Sequence, residues 1–121
     1  MAEDVKKGMR SPGDPLRGGM DLMVLSILAQ ERCYGYGIQQ QVARASGGTV
    51  RLPAGTLYPL LHRLEAEGLI SSRWDAATGR RRKWYALTSA GRRKLKLQAS
   101  RWQSYAACLQ VLLRPLIGES S

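Results

Sequence analysis

This 121-residue chain is poor in cysteine and histidine, with two of the first and one of the second. A structural zinc site asks for about four ligands at close spacing, and Cys33 and Cys108 are too few and too far apart. Both are expected to be free thiols in a reducing cytosol, with a redox role for either left open. His62 has no evident nucleophile beside it, and no glycine-rich phosphate loop occurs, so no catalytic residue, metal or cofactor is expected. Long apolar runs are missing as well. None approaches the ~18–20 residues of a membrane span, and Met1–Pro15 lacks the apolar core of a signal peptide. A cytoplasmic chain without a membrane partner follows.

Acidic residues are the other scarcity. Nine Asp and Glu stand against 19 Lys and Arg, for a net charge of +10 and a pI of about 10.3. Between Arg80 and Arg101 there are nine cations and no acid. Such a balance suits an anionic partner, either nucleic acid or an acidic surface. The length fits one domain with a modest core, small enough to gain from a partner subunit.

Against that background the segment Ala54–Glu65 stands out. At ~3.6 residues per turn, Leu57, Leu60, Leu61 and Leu64 share one side of a helix. Thr56, Pro59 and Arg63 fall opposite, with Tyr58 and His62 on the flanks. Pro59 is expected to be tolerated as a proline near the helix start. An apolar face on the core and a polar face outward suits a helix lying in the DNA major groove, and also suits an ordinary surface helix. Downstream, Leu69–Trp74 and Arg82–Thr88 read as two strands around the turn Ala76–Gly79. Arg80, Arg81, Arg82 and Lys83 cluster at its tip, as a solvated turn or a phosphate-contacting wing. Adjacent strand residues point to opposite faces, so not all four cations can serve one surface.

The remaining organisation is helical. Leu16–Gln30 reads as a first helix that buries Leu22, Leu25, Ile27 and Leu28. Cys33–Gly35 reads as a turn, Tyr36–Ala45 as a second helix ended by Gly47–Gly48, and Thr49–Leu52 as an extended link. From Ser89 to Leu113 a last helix carries Leu95, Trp102 and Leu109 at seven-residue spacing, with Tyr105 and Leu112 in the complementary series. Gln98 interrupts that series, and Pro115 is expected to stop the helix before Leu116. This stripe could pair with a second subunit or pack on the chain's own first helix.

Taken together, Leu22–Leu28, Tyr34–Ile38, Gly55–Leu61 with Arg63–Glu65, Glu67–Ile70, Arg80–Tyr85 and Leu87–Gly91 occur in an order and spacing that resemble the PadR family of bacterial winged helix-turn-helix transcription regulators. The likeness covers roughly residues 18–105. It implies a mainly α fold with a small β-hairpin: a basic arm over 1–15, a DNA-binding domain over 16–88, and a C-terminal dimerisation helix and tail over 89–121. It further implies a dimeric, sequence-specific regulator, most simply a repressor released by a small-molecule or stress signal, that is associated with the nucleoid when bound. A near-palindromic double-stranded operator would present half-sites about one turn, ~34 Å, apart. Tyr58 and Tyr36 resemble family tyrosines that face the duplex, with Gln39 a companion. Thr56, Pro59, His62 and Arg63 complete the helix surface, Arg63 being able to take guanine bidentately, and the four tip cations complete the wing. Leu95, Trp102, Tyr105, Leu109 and Leu112 would form the dimer seam. Some family members bind flat aromatic compounds between subunits, which makes Trp102 a candidate effector contact. One departure matters: family members often carry serine where this chain has Pro53, and proline where it has Ala54, so a serine side-chain cap is lost. A non-specific or chromosome-architectural nucleic-acid binder remains the alternative.

Overall fold

A computed structural model of the protein describes residues 15–76 and 81–117. Nearly all of the basic arm and the tip cation Arg80 therefore lie outside the described residues. Helix α1 (Pro15–Gln30) leads to β1 (Cys33–Tyr34), α2 (Gly35–Ala45), α3 (Ala54–Ala66), β2 (Ile70–Asp75), β3 (Arg82–Leu87) and α4 (Ser89–Leu113). A 3-10 turn, Arg114–Leu116, follows α4 at Pro115. No helix among the described residues is long and apolar enough to cross a membrane.

The expected hairpin is present, with Trp74 opposite Lys83 and Ile70 opposite Leu87. It is not alone. Cys33 and Tyr34, expected as part of a turn, pair antiparallel with Tyr85 and Trp84 and give a sheet of order β1-β3-β2. Two residues are too short to carry a period-two pattern, so their extended state comes from the pairing itself.

The core collects the inner faces of every layer. Val24, Leu25, Ile27 and Leu28 of α1 meet Ile38 and Val42 of α2, the four leucines of α3, and Ile70 and Tyr85 of the sheet. Val24 takes the buried place expected for Leu22, which is half-buried. Helix α1 has apolar residues on more than one side because it packs against both this core and α4. Leu57, Leu61 and Leu64 have no exposed surface, so truncating any one to alanine would cost about 2–5 kcal/mol. This face fixes α3 to the body and turns its other side outward.

Helix ends follow local chemistry. Gly47 and Gly48 take φ of +63° and +89° and stop α2 where a side chain would be strained. Pro53 stands at the N-cap of α3 without a side-chain cap, and its carbonyl accepts from the Thr56 and Leu57 amides. Thr88 caps α4: its Oγ1 accepts from the Gly91 amide at 3.0 Å and donates to the Gly68 carbonyl at 2.7 Å. That second bond ties the start of α4 to the turn after α3. Pro59, expected near the free amides of the helix start, lies inside α3. It removes the amide that would bond the Gly55 carbonyl, one turn back on the same exposed side.

Candidate nucleic-acid interface

Three elements converge on one groove of about 840 Å³. Tyr36 and Gln40 of α2 border it on one side, Tyr58 and His62 of α3 on another, and Trp74 and Lys83 of the wing on the third. Arg81 and Arg82 stand at its rim, and among the described residues no carboxylate lines it. The groove walls are therefore aromatic and its charge is of one sign.

The α3 wall is set by close packing. The Tyr58 ring lies over Gly35, where an added Cβ would sit 2.8 Å from Tyr58 Cζ and closer still to its hydroxyl. Only glycine leaves room for the ring in this position. Tyr85 forms the floor and is buried; that burial pushes its hydroxyl pKa up, with the neighbouring Tyr58 and Glu65 adding to the shift. Ser72 donates to Glu65 at 2.7 Å and holds β2 against α3. The wing is thus anchored at its base.

The wing cations separate by face, as strand alternation demands. Arg81 and Lys83 lie over the Trp74 ring, at 4.6 Å and 5.4 Å from its centroid. Arg82 instead lies 4.8 Å over Tyr34, beside the opposite sheet face. On that face the Asp75 carboxylate accepts from Trp84 Nε1 at 2.7 Å and from the Tyr34 hydroxyl at 3.2 Å, joining all three strands. Exposed cations held over rings beside an amphipathic helix can grip a phosphate backbone while the helix approaches base edges.

With this geometry in place, comparison with known proteins is decisive. The profile of the transcriptional regulator PadR-like family matches residues 24–97. The chain belongs to the PadR-like family of transcriptional regulators. It is 39% identical over 79 residues to the transcriptional regulator Rv3488 of Mycobacterium tuberculosis, covering 65% of this chain and 71% of that one. Among solved structures, a PadR family regulator from Eggerthella lenta matches with a TM-score of 0.69 at 34% identity, covering 93% of this chain and 95% of its own. A PadR family regulator from Clostridium difficile matches with a TM-score of 0.67 at 34% identity, covering 77% and 96% respectively. The mainly helical fold with its small antiparallel sheet and terminal helix is the fold of these PadR-like regulators.

Within the PadR-like frame, the residues singled out in the sequence divide. Tyr36, Thr56, Tyr58, Pro59 and His62 are exposed on α2 and α3, and Tyr36 keeps 67% of its surface. Arg81, Arg82 and Lys83 border the groove with them. Gln39 does not: it turns inward and donates to the Leu52 carbonyl at 2.9 Å, leaving the groove to Gln40. Arg63 is also placed differently from its expected position opposite the leucines. Its guanidinium donates to both Asp21 oxygens, at 2.7 Å and 3.2 Å, with Glu67 at 3.6 Å. The hydrogen bond to Asp21 pushes the Arg63 pKa up, against the lowering by burial, and the charges of Asp21 and Glu67 add to it.

Trp74, expected only as a strand former, is 54% exposed and faces the groove. Its signal in the sequence was an aromatic two residues inside a cation-tipped hairpin. On α4, Leu95 packs against the chain's own core, and the Trp102 indole covers Gly19 of α1. Tyr105, Leu109 and Leu112 are exposed. Cys33 is buried and its thiol pushed up, by burial first and the Glu31 charge second, against hydrogen bonds involving Gln41 and Tyr34. Cys108 is exposed.

Proposed function

We propose that this regulator binds double-stranded DNA at a near-palindromic operator as a homodimer and represses transcription by occupying a promoter. The observation that carries the reading is the groove between α3 and the wing: aromatic-walled, rimmed by Arg81, Arg82 and Lys83, and without a lining carboxylate among the described residues. Thr56, Tyr58, Pro59 and His62 face bases or the adjacent backbone, and Tyr36 and the wing cations hold phosphates. Trp74 joins them as a contact to sugar and backbone.

Dimerisation is supported by the second half of α4. Tyr105, Leu109, Val111, Leu112 and Leu113 are large, apolar and exposed along the last turns, a surface a soluble monomer rarely leaves open. Leu95 and Trp102 serve the intramolecular contact with the core and α1 and brace this half. A flat aromatic effector would act beside Trp102, whose ring centroid lies 5.2 Å from that of Tyr105, by favouring a different spacing of the two wings. The site of action is the bacterial nucleoid in the cytoplasm.

Fluorescence anisotropy with the gene's own upstream region and a scrambled duplex of equal length, at ~150 mM salt, tests the reading. Binding tighter by ~10³ or more to the first supports a specific regulator. Equal binding to both, with steep salt dependence, would point instead to a non-specific or architectural binder.

A further inference from the structure

We infer that Asp21 and Arg63 form a latch that sets the attitude of α3, making both of them positioning residues for sequence discrimination. The inference rests on the operator-binding reading above. Asp21 is the one buried charged residue among the described residues, 8% exposed, and sits 42 positions from its partner. The two parallel bonds from the Arg63 fork fix distance and plane together, which a single ammonium contact would not do. Glu67, at the C-cap of α3 four residues on, holds the same guanidinium from the end of its own helix.

A guanidinium engaged this way does not reach a base without taking its two bonds from the buried Asp21 carboxylate, which is costly. Arg63 therefore contributes through where it holds α3. The reference for that placement is α4. Two residues before Asp21, Gly19 lies under the Trp102 indole, with ring atoms 3.5 Å from where its Cβ would stand. Within one turn, α1 thus touches both the terminal helix and the tie to α3. If two subunits join through α4, the tilt of each α3 against the half-site is set through α1 and this ion pair. A contiguous chain of packed groups of this kind can carry coupling between surfaces.

The test begins by enriching the preferred operator of the full-length wild type from a random duplex pool. Affinity for that operator and for a scrambled duplex is then read for wild type, Asp21→Asn, Arg63→Lys, Arg63→Met and the Asp21→Asn/Arg63→Met double variant. All binding is measured below the onset of melting of each protein. The latch predicts that each single substitution lowers the operator-to-scrambled ratio by about tenfold. The double variant should be no worse than the worse single, because both remove one unit. Binding to the scrambled duplex and its salt slope should stay unchanged, since the wing carries those contacts. Retained discrimination in Asp21→Asn alongside its loss in Arg63→Met would make Arg63 a direct base reader and overturn the latch. Equal weakening on both duplexes would reduce the pair to a fold-stabilising contact and overturn it as well. Failure of the wild type to enrich any sequence would sink the operator reading itself, a result distinct from both.

Discussion

The junction of α1 with α3 and the groove beside the wing both hold arginine, and they differ in what answers the charge. At the junction, Arg63 meets Asp21 in two short bonds and Glu67 beyond them. In the groove, Arg81 and Lys83 meet the ring of Trp74 and, among the described residues, no lining carboxylate. A ring face attracts a cation by about 0.5–1 kcal/mol at an exposed site and leaves its charge free for a second partner. A bidentate carboxylate consumes it. Arginine count alone therefore says little about function; the partner decides whether the charge holds the protein together or reaches outward. The sharpest break of this contrast is thermal. Asp21→Asn should destabilise the protein by about 1–3 kcal/mol, because it leaves the Arg63 charge half-buried with its main partner neutralised. Arg81→Ala should shift the melting temperature by no more than about 0.5 kcal/mol would. Equal losses by calorimetry would erase the distinction drawn between the two regions.

Binding to a scrambled duplex reverses the order, because Asp21→Asn should leave it unchanged. Arg81→Ala should weaken affinity for every duplex alike, by roughly fivefold, and reduce the slope of log K against log salt by about one. A selective loss for one sequence would mean that the wing reads bases rather than phosphates. A smaller effect sharpens the picture of the α3 wall. Gly35→Ala forces the Tyr58 ring aside, and because that ring is partly exposed it can swing, so the stability cost should stay below about 1 kcal/mol. Duplex binding should nonetheless fall, since the displaced ring no longer lines the groove. Unchanged binding in a folded Gly35→Ala protein would remove Tyr58 from the interface.

Much of this architecture was legible in advance, and for definite reasons. The leucines of α3 repeat at helical spacing, Gly47–Gly48 punctuate the end of α2, and a turn flanked by aromatic strands announces the hairpin. Helix α4 ends at Leu113, as Pro115 requires. What escaped was set by distant partners. Strand β1 exists because Cys33 and Tyr34 find β3 some fifty positions away. Asp21 and Arg63 carry no local mark of each other, and at ~100° per residue Arg63 lies at the border between outward and inward sides of its helix. The same rotation separates Gln39, bonded to Leu52, from Gln40 in the groove. Periodicity finds faces well and resolves their edges poorly.

The smallest effect concerns the groove floor and tests whether its hydroxyl belongs to the inside or the outside. Burial raises the pKa of Tyr85 above the ordinary tyrosine value of about 10, so the folded protein keeps this proton where the unfolded chain releases it. Between the two values the folded state binds more protons, and stability must fall as pH rises. The contribution is complete below about pH 10 and is lost as pH climbs through the higher folded value. Every other group is common to wild type and Tyr85→Phe. The difference between their denaturation free energies, followed from pH 8 upward, therefore isolates the Tyr85 hydroxyl: wild type should lose stability more steeply than Tyr85→Phe above about pH 10. Parallel curves would place that hydroxyl in water and overturn its assignment to the buried floor of the groove.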